Sequence, residues 1–138
     1  METYRTWLHL FELLPYYSWI IDRFHISTQI YQQTVNNRIY DFDWIENALK
    51  KLGFRLIFCY RNPDSFEKAL EKRLQVSGNP SQYRDLQKFI DEQEHFRRAI
   101  EKSSLCTLEV DVSDYDIQRT TEHIASWMKE TGGLWADY

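Results

Sequence analysis

Glycine is scarce in this chain of 138 residues, and its scarcity excludes one common kind of phosphate site. None of the glycines lies in the first 52 residues, and the four that are present are Gly53, Gly78, Gly132 and Gly133. A loop that cradles a triphosphate through its backbone N–H groups has glycines in the order G-x-x-x-x-G-K-[ST]. No segment has that order, so this sequence does not itself encode such a loop.

Cysteine is nearly absent as well, and no residues have the spacing of a metal site. Cys59 and Cys106 lie in apolar runs, and the four histidines are scattered without an H-E-x-x-H or paired-cysteine pattern. We therefore predict two buried free thiols, with neither a disulfide framework nor a structural zinc site. Buried free thiols are typical of a cytoplasmic protein, which is the location we predict.

Long apolar runs and an excess of positive charge are also missing. The formal net charge is −4, and no apolar run approaches the roughly 20 residues that span a bilayer. The first residues, METYRTWLHLFELLP, have scattered charges and no small-residue cleavage site. These features argue against nucleic-acid binding, membrane binding and secretion. The length predicts one domain, 1–138, and the 43% apolar content is enough for a core.

What the sequence does contain is an alternation of helical and strand patterns. Helical spacing predicts helices over 3–14, 26–35, 41–53, 62–75, 83–103 and 113–133. Short apolar runs predict strands over 16–22, 54–61 and 105–113. This order predicts an α/β fold with a parallel three-stranded sheet flanked by helices. Ligands of such sheets collect at the carboxyl ends of the strands, where Asp22, Arg23, Arg61 and residues 111–114 fall.

Three stretches resemble one family of nucleotide kinases. The segment IIDRFHISTQIYQ, 20–32, resembles the Asp-Arg-aromatic-x-x-Ser-x-x-x-Tyr-Gln segment of thymidylate kinases and related P-loop deoxynucleotide monophosphate kinases. Residues 55–73 and 108–124 resemble later strands and helices of the same family. The resemblance implies a P-loop nucleotide-kinase-like fold that lacks its first, central strand together with the Walker A loop. By this resemblance the chain corresponds to the C-terminal two-thirds of such a kinase.

The resemblance also implies roles for individual residues. Asp22 would lie near magnesium and the phosphates, and Arg23 would clamp the acceptor monophosphate with its guanidinium fork. Four residues would contact the base and sugar of a dTMP-like acceptor: Ser27, Thr28, Tyr31 and Gln32. Arg61 and Arg73 would lie on the ATP and lid side. Magnesium and ATP would be the cofactors, and no protein metal site is implied.

The residues alone leave simpler alternatives open. A single Asp-Arg pair such as Asp22 and Arg23 is more often a surface ion pair at a strand end, and Tyr31 taken alone is more often a core residue than a ligand contact. Arg61 is equally a helix-capping residue. In the family, the absent strand lies between the strands that match 16–22 and 54–60. The backbone hydrogen-bonding groups at the edges of these two strands could find partners in three ways: direct pairing of the two strands, association of two copies, or a strand from a partner chain.

Two functions are therefore expected. The first is a deoxynucleotide monophosphate kinase-like protein that binds a dTMP-like acceptor and transfers phosphate from MgATP only if a P-loop is supplied elsewhere. The second is a catalytically inactive, degenerate kinase fold that acts as a partner-binding or regulatory module. In either case a homo-oligomer or a partner chain would cover the position of the missing strand.

Overall fold

A computed structural model describes residues 2–83 and 85–133 of the chain. Over these residues the protein is a mixed α/β structure with helices flanking a parallel sheet of two strands, in the order β1–β2. The elements are α1 (Glu2–Leu13), α2 (His25–Asn36), α3 (Asp43–Lys51), β1 (Arg55–Tyr60), α4 (Phe66–Leu74), α5 (Leu86–Ile100), β2 (Cys106–Asp111) and α6 (Ile117–Glu130). Short 3-10 turns cover Pro63–Ser65 and Pro80–Tyr83. The prediction of a helix-flanked α/β fold is confirmed.

The chain divides into two compact units, and the division falls within both strands. The first unit comprises Met1–Leu56 and Arg98–Thr107, and the second comprises Ile57–Arg97 and Leu108–Tyr138. Among residues 2–83 and 85–133, no helix has the length and apolarity that crossing a membrane requires.

The core of the first unit is built from helix faces with regular apolar spacing. The most completely buried side chains are Phe11 of α1 and Ile45 of α3, at 1% and 0% exposure. The ring of Phe11 lies 4.9 Å from that of Phe54 and 5.1 Å from that of Trp19, centroid to centroid. Such offset aromatic pairs add to the free energy gained from area burial alone. The core therefore holds α1 and α3 together and ties the segment after α1 to them.

The predicted strand over 16–22 is wrong. This segment is a turn followed by irregular chain, and among the described residues the sheet holds β1 and β2 alone. Tyr16 and Ile20 are 86% and 99% exposed, while Trp19 packs on the core. A short β-branched run becomes a strand only when a neighbouring strand accepts its backbone hydrogen bonds, and here Trp19 packing fixes the segment instead. The three-stranded sheet is thus not present in the described residues.

The second unit contains most of β1, and its exposure pattern differs from the prediction of a strand covered on both faces. Phe58 is 8% exposed, whereas Ile57 is 36% exposed and Cys59 is exposed. Cys106 is exposed too, so the prediction of two buried thiols is wrong. A sheet of two strands buries the alternate residues on one face only, which accounts for the alternation along β1.

The helix ends follow the sequence only in part. The sequence offers Ser113 or Asp114 as the cap of α6, and this prediction is wrong. Asp116 caps the helix by accepting a hydrogen bond from the Arg119 backbone N–H at 2.9 Å. The sequence offers Asp41 or Asp43 as the cap of α3. Phe42 takes the position before the helix and has no side chain able to cap, but Asp41 Oδ1 accepts a hydrogen bond from the Asp43 backbone N–H at 2.8 Å. The sequence also predicts that α3 ends at Gly53 and α6 at Gly132, and positive φ values at both glycines confirm this.

Gly53 offers a test of backbone strain without a steric contribution. Its φ is +78°, and a Cβ added there would meet nothing within 4 Å. We expect Gly53→Ala to lower the free energy of unfolding by about 1 kcal/mol, because only the left-handed backbone is penalised. Gly78→Ala is the matched control, since its φ is not positive and the added Cβ also meets nothing. Urea denaturation would contradict the explanation if the two variants lost equal stability.

Candidate functional site

The predicted acceptor residues lie in the first unit, on α2 and just before it. Asp22 and Arg23 are exposed in a bend, and Arg23 has a φ of 63°, which is uncommon for a residue other than glycine. Ser27, Thr28, Tyr31 and Gln32 follow on α2 at positions that share one side of a helix. Within the described residues, Asp22 and Arg23 form no ion pair with each other or with another side chain.

Two of these residues already have structural hydrogen bonds. The Tyr4 hydroxyl donates to Thr28 Oγ1 at 2.6 Å and so ties α1 to α2. Gln32 Oε1 accepts from Asn36 Nδ2 at 3.0 Å within α2. Tyr31 is 56% exposed, so it belongs neither to the core nor to an enclosed pocket. The predicted acceptor site is therefore an open helix surface in which Thr28 contributes to packing.

A partly buried polar cluster, which sequence reasoning did not identify, lies beside this surface in the first unit. We call it the His25–Glu46 hub; its members are His25, Glu46, Ser103 and Ser104. Nε2 of His25 lies 3.1 Å from Oε1 of Glu46. Glu46 also accepts hydrogen bonds from Ser103 Oγ at 2.8 Å and from the Ser104 backbone N–H at 2.7 Å. The carboxylate therefore joins the start of α2, the first turn of α3 and the turn before β2.

The geometry of the hub is structural and not that of a serine nucleophile. Ser103 donates to the carboxylate and not to the histidine, so the histidine is not placed to take its proton. His25 is 3% exposed, and its Nδ1 has no hydrogen-bond partner among the described residues. A buried ring in this position is more stable neutral than charged, because the second N–H of the imidazolium would lack an acceptor.

The pKa values of the two hub groups are both lowered. Burial holds the pKa of His25 below its ordinary value of 6.5, and the hydrogen bond and charge of Glu46 oppose this without cancelling it. Burial alone would raise the pKa of Glu46. Hydrogen bonds from Ser104, His25 and Ser103 outweigh that effect and hold the pKa below 4.5.

These shifts predict a loss of stability on acidification. Below pH 6.5 the unfolded chain binds a proton at His25 more readily than the folded protein does. We expect the free energy of unfolding to fall from that pH toward the folded pKa of His25, by up to about 1.4 kcal/mol per pH unit. The Glu46 contribution is present above pH 4.5 and is lost below it. Chemical denaturation at a series of pH values measures both steps.

The variant His25→Phe should abolish the loss of stability that begins below pH 6.5 and keep the loss that begins below pH 4.5. His9→Gln is the control, because His9 is exposed and lies outside the hub. A wild-type curve that stays flat, or rises, as the pH falls from about 7 to about 5 would contradict the assignment.

The second unit contains a cavity of about 540 Å³ that is widely open to solvent and lined by cationic and apolar side chains. This volume lies within the range of small-molecule sites. The lining comes from the carboxyl end of β1, from α4, from the start of α5 and from the turn before α6. We call it the Arg61 cavity, and its lining residues are Arg61, Phe66, Ala69, Leu70, Lys72, Arg73, Val76, Leu86, Phe89 and Tyr115.

Two of its cations lie against one aromatic ring. Arg61 Cζ is 4.3 Å from the centroid of the Tyr115 ring, and Lys72 Nζ is 3.5 Å from the same centroid. Neither cation forms an ion pair with a carboxylate of the described residues. Nη1 of Arg61 and the Tyr115 hydroxyl are buried and have no hydrogen-bond partner among the described residues. Cation–π contacts offset little of the cost of holding two like charges close together.

The backbone beneath the cavity is fixed by side-chain hydrogen bonds. Gln93 of α5 accepts from the Arg61 N–H at 2.7 Å and donates to the Arg61 carbonyl at 2.8 Å. The next residue, Asn62, donates its backbone N–H to Ser113 Oγ at 2.8 Å and its side chain to Asp111 Oδ2 at 3.0 Å. Hydrogen bonds from Ser113 hold the pKa of Asp111 below its usual value. Arg61 therefore projects from a rigid backbone.

The structure thus brings together some predicted site residues and not others. Arg61 and Arg73, both predicted for the ATP and lid side, line one cavity. Asp22, Arg23 and the α2 residues belong to the other unit and do not line it. Sequence reasoning missed Lys72 and Tyr115. A signal existed for Lys72, which lies three residues after Ala69 on α4 and so on the same side of that helix. No local pattern indicates Tyr115.

The described residues do not supply a metal site. No group of three or more His, Cys, Asp or Glu side chains within 2–83 and 85–133 could hold a metal ion. Asp22, which the resemblance places near magnesium, is exposed and belongs to no such group. Magnesium is therefore not supported as an ion held by these residues.

Comparison with known proteins does not assign a family to this fold or to this cavity. No family model matches the chain, and neither a curated protein nor a solved structure matches it.

Proposed function

We propose that this protein is a binding module for a phosphate-bearing small molecule, with the Arg61 cavity as its site and with no catalytic activity of its own. The observation that carries the proposal is the convergence of Arg61, Lys72 and Arg73 on one cavity. Arginine and lysine are the side chains that bind phosphate in proteins. Because Arg61 and Lys72 have no carboxylate partner among the described residues, an anion can bind them without breaking an ion pair.

The resemblance of residues 20–32 to deoxynucleotide kinases narrows the ligand within this proposal. It favours a nucleotide, with ATP or a deoxynucleotide such as dTMP as the first ligands to test. The P-loop kinase-like fold, the cytoplasmic location and the roles of the α2 residues remain predictions. The irregular chain at 16–22 weighs against that fold, because one of the two strands that would flank the missing strand is not formed. For this reason we place the binding module ahead of the phosphotransferase.

Ligand-dependent stability tests the proposal. A ligand present at about 100 times its Kd should raise the free energy of unfolding by about 2.7 kcal/mol. We expect thermal unfolding to move upward with at least one of ATP, dTMP and inorganic phosphate, each measured with and without magnesium. No shift with any of them, together with unchanged NMR spectra, would contradict the proposal. Formation of dTDP from dTMP and MgATP would contradict catalytic silence and support the phosphotransferase.

A second candidate function, partner binding through the first unit, is favoured by a separate observation. The last residue of α1 and the segment after it expose large apolar side chains to a degree uncommon in a monomer. Their exposed fractions are 62% for Leu13, 86% for Tyr16, 66% for Tyr17 and 99% for Ile20. We propose association of two copies as the first form to test. Light scattering would show a dimer mass for the wild type and a monomer mass for the double variant Tyr16→Ser, Ile20→Ser. A monomer mass for both would exclude self-association through this segment.

A further inference from the structure

We infer that the Arg61 cavity selects an anion attached to an apolar body, and that the anion binds by drawing Arg61 and Lys72 away from the ring of Tyr115. This inference rests on the proposed function, because it concerns the ligand class of the same cavity. Two features carry it: the apolar lining beside the cations, and the two cations held against one ring.

The apolar lining has the pattern of a helix face that packs against something. Phe66, Ala69 and Leu70 follow the i, i+3, i+4 spacing of a buried stripe, yet α4 has no buried residue. Leu86 and Phe89 add an i, i+3 pair from the start of α5. A purely inorganic anion would leave these side chains in contact with water. A ligand with a ring or an alkyl group would cover them and gain affinity from the apolar area removed from water.

The charged part of the ligand follows from the positions of the cations. Because Arg61 Cζ and Lys72 Nζ lie 4.3 Å and 3.5 Å from the same ring centroid, the two charges are less than 8 Å apart. One phosphate group, whose oxygens accept charged hydrogen bonds at about 2.8 Å, can reach both. Hydrogen bonds to an anion are stronger than contacts with the face of a tyrosine. Exchanging the contacts with the Tyr115 ring for hydrogen bonds to the anion therefore favours the bound state. The ring is then released to pack against the apolar body of the ligand.

An NMR titration with three probes tests the ligand class. The probes are inorganic phosphate, phenyl phosphate and ATP, added to the full chain labelled with 15N. We expect phenyl phosphate to bind at least about tenfold more tightly than inorganic phosphate, since its ring covers the apolar lining. Leu70→Ala should reduce this ratio, because it removes apolar area from the lining. Circular dichroism checks that Leu70→Ala keeps its helices. If the variant does not fold, the ratio of the two affinities in the wild type still tests the inference.

The outcomes separate this inference from the proposal on which it rests. Equal affinities for phenyl phosphate and inorganic phosphate would overturn the inference and leave phosphate binding in place. If none of the three probes binds, the proposed function fails as well.

The exchange step has its own signature. The ring of Tyr115 should shift the ε-methylene protons of Lys72 upfield in the free protein. Phenyl phosphate should move them toward the ordinary lysine position, and Tyr115→Leu should abolish the upfield shift before any ligand is added. An upfield shift that persists at saturation would overturn the exchange.

Discussion

Replacing Glu46 with alanine should lower the free energy of unfolding by about 3 kcal/mol, because the variant leaves donors without an acceptor. The carboxylate accepts from His25, Ser103 and the Ser104 backbone N–H, and its side chain is 13% exposed. Water can reach the donor groups of Ser103 and Ser104, but His25 is 3% exposed and Nε2 would join Nδ1 as an unpartnered atom. The penalty therefore comes mainly from the histidine.

Thermal unfolding measures this loss directly. About 3 kcal/mol corresponds to a fall in Tm of roughly 10 °C for a chain of this size. Glu46→Gln should lose less stability than Glu46→Ala, since its amide oxygen still accepts a hydrogen bond although the charge is gone. Glu101→Ala is the control; Glu101 is an exposed glutamate of the same unit, and we expect a change within about 0.5 kcal/mol. If Glu46→Ala melted within about 2 °C of the wild type, the hub would not stabilise the first unit.

A double-mutant cycle separates the His25–Glu46 contact from the rest of the hub. In the background of His25→Phe no imidazole is left unpaired, so Glu46→Ala should cost less than it does in the wild type. Residues in direct contact show interaction energies of about 0.5–3 kcal/mol. Additive losses would place the contribution of Glu46 in its bonds to Ser103 and Ser104 instead.

Local patterns predicted the helices and the strands β1 and β2 well, but they also predicted a third strand over 16–22 that does not form. The two results have different causes. A helix closes its hydrogen bonds within one segment, so the spacing of Tyr4, Leu8 and Phe11 is enough to indicate α1. A strand needs a partner that local sequence does not specify. Residues 16–22 have the composition of a strand, yet Trp19 packs on the core and Ile20 faces solvent.

The same distinction explains how much of the candidate site was predictable. Arg61 was singled out because it ends an apolar strand, and Arg73 was singled out by the resemblance to deoxynucleotide kinases. Tyr115 lies in a turn 54 positions beyond Arg61, and no local pattern indicates that its ring meets the guanidinium. The His25–Glu46 hub joins three separate segments in the same way. Tertiary contacts of this kind are not encoded by spacing.

Replacing Arg61 with glutamine should weaken binding of phosphate-bearing ligands about 10- to 100-fold, which corresponds to the loss of one or two charged hydrogen bonds. The fold should persist, because Gln93 holds Arg61 through its backbone N–H and carbonyl and not through its side chain. We expect the ligand-free variant to be as stable as the wild type to within about 0.5 kcal/mol, since the substitution also removes a buried guanidinium nitrogen that lacks a partner. The ligand affinity of Arg61→Lys should lie between those of the wild type and Arg61→Gln, because lysine keeps the charge and loses the planar fork.

The matched control for this loss is Lys68→Gln. Lys68 lies on α4, is exposed and does not line the cavity, so its replacement removes the same charge from the same unit without touching the site. Affinities measured by NMR titration at fixed ionic strength separate local contacts from the general field of the protein, which salt screens. Equal losses of affinity in Arg61→Gln and Lys68→Gln would mean that phosphate binding depends on the net charge of the protein alone. An unchanged affinity in Arg61→Gln would remove the cavity from the binding site. A loss confined to Arg61→Gln, with Tm preserved, is the result expected if the Arg61 guanidinium binds the phosphate directly.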